Sequence, residues 1–168
     1  MSDQQIFIGE GFVGEGVNAA HVNTVMGARN GPVGTAWATA LATPRTGHVP
    51  FVAVARPGSP ILPFTLFVNK AAIENDLHGT LTWGAAQAGL AAGVGQAHID
   101  GHVPDAAETY VLIAAVWVNP AANDEEAVFA NNRAATLSAL AMARSSAPDM
   151  DLAIAAMTYP QNPYFRQG

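Results

Sequence analysis

A two-layer domain of α+β or mixed α/β class, one layer of sheet and one of helices, is what this chain predicts. Three observations lead there. Segments of period two and segments of helical period interleave along one chain. Some strands follow one another directly, as Ile6 to Phe12 and Ala20 to Met26 do. The most apolar segment, Glu108 to Val118, reads as a central strand covered on both faces. With 168 residues and 17.3 kDa, the whole chain, 1–168, fits a single domain with a core of its own.

The elements follow in order. The first two strands flank the glycine-rich "GEGFVGEG", and alternation in the second puts His21, Asn23 and Val25 on one face and Val22, Thr24 and Met26 on the other. "NGPVGTAWATAL" starts a helix, with Pro32 tolerated in its first turn and Val33, Trp37 and Leu41 on one side. "VPFVAVA" at Val49 to Ala55 and "PFTLFVNK" at Pro63 to Lys70 are the next strands. Between them Pro57, Gly58 and Pro60 of "RPGSPIL" are expected to break regular structure. Asn75 or Asp76 caps a second helix running to about His98, with Leu77, Leu81, Ala85, Ala88 and Ala92 at helical spacing. Its glycines at 84, 89, 93 and 95 make a poor helix former, which suits a surface that another backbone approaches closely. After the central strand, "NPAANDEEAVF" opens a third helix running to about Arg144, with Asp124, Glu125 and Glu126 in its first turn, where acids suit the helix dipole. A last strand is expected at Asp151 to Thr158, before the tail "YPQNPYFRQG".

Composition narrows the function classes. Half of the residues are hydrophobic and 12% are charged, so some apolar surface is expected to be buried against other subunits. Thirteen acids face six arginines and one lysine, Lys70, for a net charge of −6 with no basic run, and nucleic acid is a poor partner. The chain has no cysteine, which removes disulfides, thiolate metal sites and cysteine nucleophiles. "MSDQQIF" lacks the pattern of a signal peptide, and the longest apolar run, Tyr110 to Val118, is too short to span a bilayer. A cytoplasmic protein without a membrane partner is the expectation.

The chemistry-bearing patterns are sparse. Gly9, Gly11 and Gly14 match G-x-G-x-x-G, but "EGVNAAHVN" follows instead of a helix, so a glycine-dependent turn is the better account than a dinucleotide site. "HIDGH" at His98 to His102 invites a metal reading. With no third ligand pattern nearby, a helix C-terminus with Gly101 as its cap explains it better. No nucleophile motif and no phosphate loop occur. His21, Asn23, Lys70 and Gln87 are left as polar residues inside apolar elements. Each has a plain structural alternative: a hydrogen-bonded core or interface histidine, a lysine reaching for solvent at a strand end, an exposed helical glutamine.

Taken together and in order, "GEGFVGEG", "AHVN", "NGPVGTAWATAL", "GHVPFVAVARPGSPILPFTLFVNK", "WGAAQAGLAAGV" and "PAANDEEAVFANNRAATLSAL" resemble the formaldehyde-activating enzyme family, from about Ile8 to Arg144. The tail "NPYF" only echoes the histidine-proline-phenylalanine element with which members tend to end. The resemblance implies a fold like the second domain of ribosomal protein S5, with a left-handed crossover that the general rule would not predict. It implies a cytoplasmic homopentamer and a hydro-lyase of one-carbon metabolism. Formaldehyde would condense with tetrahydromethanopterin, a cosubstrate, to methylene-tetrahydromethanopterin and water, with no metal or redox cofactor. By the same resemblance His21 takes the place of the catalytic proton donor, Lys70 and Gln87 of pterin-binding residues, and Val52 of an apolar contact that is commonly leucine. Asn23 stands where the family has aspartate and Ala72 where it has threonine, which removes a charge and a hydroxyl from the pterin site. An asparagine beside the histidine predicts a lower histidine pKa than an aspartate would give. Those two departures leave a second reading open, a paralogue that binds or senses formaldehyde or another one-carbon carrier without the reaction.

Overall fold

The structure is a computed structural model that describes residues 5–145 and 150–166. Five strands form a mixed sheet in the order β1, β2, β7, β6, β3. These are β1 (Ile6–Val13), β2 (Ala20–Ala28), β7 (Tyr110–Trp117), β6 (Phe64–Asn69) and β3 (Phe51–Val52). β1 with β2, β2 with β7 and β3 with β6 are antiparallel, and β6 with β7 is parallel. The parallel pair needs a long crossover. It is supplied by α2 (Asp76–Leu81), a π-helical segment (Thr82–Ala86) and α3 (Gln87–Ile99), which run on without a break. The central strand expected at Glu108 to Val118 is therefore β7, in the middle of the sheet.

The core lies between one face of the sheet and the pair α3 and α4 (Glu125–Arg144). Val22 and Met26 from β2, Leu112, Ala114 and Val116 from β7, and Phe67 from β6 meet Leu90 and Val94 of α3 and Val128, Ala135 and Leu140 of α4. Two glycine contacts bring the layers close. A Cβ built on Gly9 or Gly11 of β1 would fall well inside contact distance of the Ala139 or Ala135 carbonyl oxygen of α4. The small-residue surface expected on the second helix is half present: Gly89 and Gly93 abut the α4 backbone at Phe129 and Arg133, while Gly84 and Gly95 face open space.

Helix ends match their capping chemistry. Asn75 Oδ1 accepts the His78 N–H at 2.8 Å at the start of α2, and Asp124 Oδ1 accepts the Ala127 N–H at 3.0 Å at the start of α4. Asn18 ties the loop before α4 to β2 by accepting the N–H groups of Asn123 and Asp124 on its side-chain oxygen. Asp124→Ala is expected to cost about 1 kcal/mol, the usual worth of an N-cap, seen as a melting temperature lowered by about 2–4 °C in a thermal scan.

Two expectations are corrected. Residues Met150–Thr158 form a helix, α5, where a strand was expected at Asp151 to Thr158. Three alanines favour helix there, and Met150, Ile154 and Met157 repeat at helical spacing, which outweighs the short alternation of Leu152 and Ile154. No residue of α5 is buried. The segment "RPGSPIL" is not irregular throughout: β4 (Val54–Arg56) and β5 (Ser59–Pro60) pair across it as a small hairpin, with Gly58 in its turn at φ +77°. α1 (Pro32–Ala42) begins with proline as expected, and its Val33 packs against Gly27 on the face of the sheet that the core does not use. No helix among the described residues is long and apolar enough to cross a membrane.

Candidate functional site

The second face of the sheet is the one that α3 and α4 leave open, and parity decides what it carries. In β1 it shows Ile8, Glu10 and Phe12, and in β2 His21, Asn23 and Val25. The antiparallel register sets Glu10 opposite Asn23 and Phe12 opposite His21. Across β7, Trp117 lies opposite His21 and Ala115 opposite Asn23. Lys70 comes just after β6, where its backbone N–H donates to the Val116 carbonyl at 2.8 Å and extends the parallel ladder. Three strands, β1, β2 and β6, thus deliver Glu10, His21, Asn23 and Lys70 to one patch.

These side chains form one network. Lys70 Nζ donates to Asn23 Oδ1 at 2.7 Å and lies 3.2 Å from His21 Nδ1. His21 Nε2 lies 2.9 Å from Glu10 Oε1. The imidazole also packs at a tilt on Phe12, with ring centroids 5.8 Å apart. His21 is pulled below its ordinary pKa, first by burial and then by the Lys70 charge, while Glu10 works the other way through its charge and its hydrogen bond. Burial also lowers Lys70, again against Glu10. An imidazole with a carboxylate on one nitrogen and an amine on the other can take up a proton and give it back.

Sequence reasoning finds His21, Asn23 and Lys70, and the structure brings these three together. It misses Glu10. The signal lies in "GEG", where a charged residue stands between two apolar neighbours of its own face, Ile8 and Phe12. Its partner becomes visible only once the register with β2 is known.

The other expected site residues lie elsewhere in this chain. Val52 pairs with Leu66, four residues before Lys70 along β6, roughly 13 Å away at strand rise. It lines an apolar cavity of about 490 Å³ with Trp37, Ala38, Phe64 and Val111. Gln87 is buried at the start of α3, and its Oε1 accepts the Val54 N–H at 2.7 Å, so it secures the β4 backbone instead of standing exposed. Ala72 is exposed just beyond Lys70, beside Gly47. The sequence 98–102 ends α3: His102 N–H donates to the Ala97 carbonyl at 2.8 Å, and Gly101 has φ +77°. Among the described residues no three His, Asp or Glu side chains gather as a metal would need. His78 is fully buried, its Nε2 3.1 Å from the Val118 carbonyl and its Nδ1 accepting the Glu74 N–H, which makes it structural.

The C-terminal tail reaches the same patch. Asn162 and Phe165 exchange backbone hydrogen bonds, and Tyr164 sets its ring edge-on against Phe12 at 5.8 Å. Phe12 therefore stands between His21 and Tyr164, beside a cavity of about 810 Å³ walled by Phe12, Glu15, Asn119, Tyr164 and Arg166.

Known proteins share this chain's pattern. The profile of the family described as Formaldehyde-activating enzyme (Fae) matches residues 8–165. A protein of Methanosarcina barkeri named 5,6,7,8-tetrahydromethanopterin hydro-lyase is 35% identical over 158 residues, covering 94% of this chain and 89% of that protein. Proteins named Bifunctional enzyme Fae/Hps are 36% identical in Archaeoglobus fulgidus and 38% in Methanocella arvoryzae, each over 145 residues and 86% of this chain. The chain spans 37% of the length of those bifunctional relatives.

Proposed function

The chain belongs to the formaldehyde-activating enzyme family, and from that membership we propose that it condenses formaldehyde with tetrahydromethanopterin, giving methylene-tetrahydromethanopterin and water. The observation that carries the reading is the placement of His21 on the open sheet face, 3.2 Å from Lys70 and 2.9 Å from Glu10.

One nitrogen of the pterin adds to formaldehyde to give a carbinolamine, and water must leave before the second nitrogen closes the ring. Hydroxide is a poor leaving group, so a proton delivered by His21 makes the departure possible, and such assistance is worth about 10²–10⁴-fold. The second nitrogen then sheds a proton as it closes, and a neutral His21 takes it up. One residue therefore completes the proton cycle with no net proton consumed. Holding carrier and aldehyde together adds an orientation gain. Lys70 and Asn23 offer a donor and an amide next to the reacting atoms, and Val52, Ala72 and Gln87 are proposed to meet more distant parts of the carrier. Formaldehyde and the tetrahydropterin are the small-molecule partners.

Kinship with the family and the bare apolar surface support a homopentamer. Ile8 is 68% exposed on the sheet, and Ile154 and Met157 are exposed on α5, so one chain alone leaves much apolar surface wet. The same kinship supports an S5-like fold with a left-handed connection from β6 to β7, and a cytoplasmic location.

Stopped-flow absorbance of tetrahydromethanopterin mixed with formaldehyde, with and without protein, tests the reaction, which also proceeds unaided. A rate well above background is the expected result. A rate equal to background would instead favour the carrier-binding paralogue to which Asn23 and Ala72 point.

A further inference from the structure

We infer that Glu10 is a positioning residue of this reaction: from the neighbouring strand its carboxylate fixes the tautomer and orientation of His21 and takes the electrostatic part that Asn23 cannot play. The inference rests on the proposed condensation with His21 as the acid.

Geometry comes first. Glu10 lies directly across from Asn23, so its reach to His21 is the diagonal one, within range of a long side chain on the same face. Glu10 Oε1 stands 2.9 Å from His21 Nε2. A carboxylate only accepts, so Nε2 carries the hydrogen. The Nδ1 lone pair then faces Lys70 Nζ, which only donates when charged. Both neighbours select the same tautomer from opposite sides of the ring. The opposite tautomer would set a lone pair against a carboxylate and an N–H against an amine. Phe12 packs against the ring at a tilt of 56°.

Charge comes second. The charged groups acting on His21 are Glu10 from β1 and Lys70 from beyond β6. Asn23 beside it on β2 and Trp117 across on β7 carry no charge. Tyr164 of the tail reaches it only through Phe12. When the ring takes up a proton it becomes a cation beside Lys70, and Glu10 is the anion that offsets this. In this role Glu10 transfers no proton itself. An exposed ion pair adds little to stability, so a half-exposed Glu10 held on this ring has a better explanation in the ring's chemistry than in the fold.

The test compares wild type with Glu10→Gln, Glu10→Asp and Lys70→Met by two readouts: the His21 ring titration from NMR, and the pH profile of the catalysed rate in stopped flow. Glu10→Gln should move the His21 titration to lower pH and carry the alkaline fall of the rate with it. It should lower kcat by roughly ten- to a hundred-fold, as loss of an orienting partner does for metal-bound imidazoles, with little change in KM for the carrier. Lys70→Met should move the His21 titration the opposite way, and Glu10→Asp should recover part of the kcat. A Glu10→Gln protein whose titration and pH profile both stay in place overturns the proposal, as does a shifted titration that leaves kcat untouched. Should wild type give no acceleration, the proposed reaction fails, and the positioning role fails with it, even where the titration shows that the contact exists.

Discussion

Replacing His21 by alanine is expected to lower the catalysed rate by about 10²–10⁴-fold while leaving the protein folded. The size follows from the reaction. Expulsion of hydroxide from the carbinolamine is the step most in need of a proton, and His21 is the group in the patch whose reference pKa, about 6.5, lies nearest neutrality. The loss does not reach the uncatalysed rate, because the remaining patch still holds the two reactants together. The fold should tolerate the change, since His21 lies on the half-exposed face while Val22 and Met26 hold β2 to the core. A drop in kcat with KM for the carrier near wild type is the signature of an interaction used in the transition state alone. Unchanged acceleration in His21→Ala would move the acid to another residue, and Lys70 would be the next to replace.

Gly11→Val is the second large effect, and it falls on stability. The added Cβ meets the Ala135 carbonyl oxygen, a backbone atom in the middle of α4, which no side-chain rotation relieves. α4 would have to lift off β1 and β2, opening the layer where Ala135, Ala139 and Leu140 are fully buried. Overpacking usually costs about 1–3 kcal/mol. A clash against helix backbone belongs at the upper end or beyond, a large share of the 5–15 kcal/mol typical of a domain. Urea denaturation reads it as a lower midpoint. Gly95→Ala is the control: nothing lies within 4 Å of its Cβ, and a helical alanine there is expected to add up to about 1 kcal/mol. Equal effects of the two substitutions would refute the claim that close approach explains the β1 glycines.

How much of this was readable beforehand differs from residue to residue. The face shared by His21 and Asn23 follows from alternation alone, and strand 20–28 obeys it. The cap at Asn75 is readable because it rests on a hydrogen bond three residues long. Asp124, by contrast, expected within the first turn of its helix, stands one position before it as the N-cap. Lys70 is legible as an oddity and, through resemblance, as an expected binding residue; its distance to His21 is not, because 49 positions of chain separate them. Glu10 escapes for a related reason. Strand pairing fixes its partner, and pairing depends on the conformation of the turn at residues 14–19. α5 was misread because alanine, isoleucine and methionine fit either period over nine residues. Gln87 shows the reverse case: kinship names it, while one folded chain uses it to hold the β4 backbone.

Gly9, Glu10 and Gly11 write two messages in one reading frame. The glycines admit α4 on one side of the strand, and the glutamate serves the histidine on the other. Removal of a single residue within β1 would exchange the sides, driving a carboxylate toward helix carbonyls and taking it away from His21. Helix docking and proton handling therefore stand or fall together under such a deletion. A chain of this kind that has lost its chemistry yet still folds must have done so by substitution, with the spacing of its first strand intact.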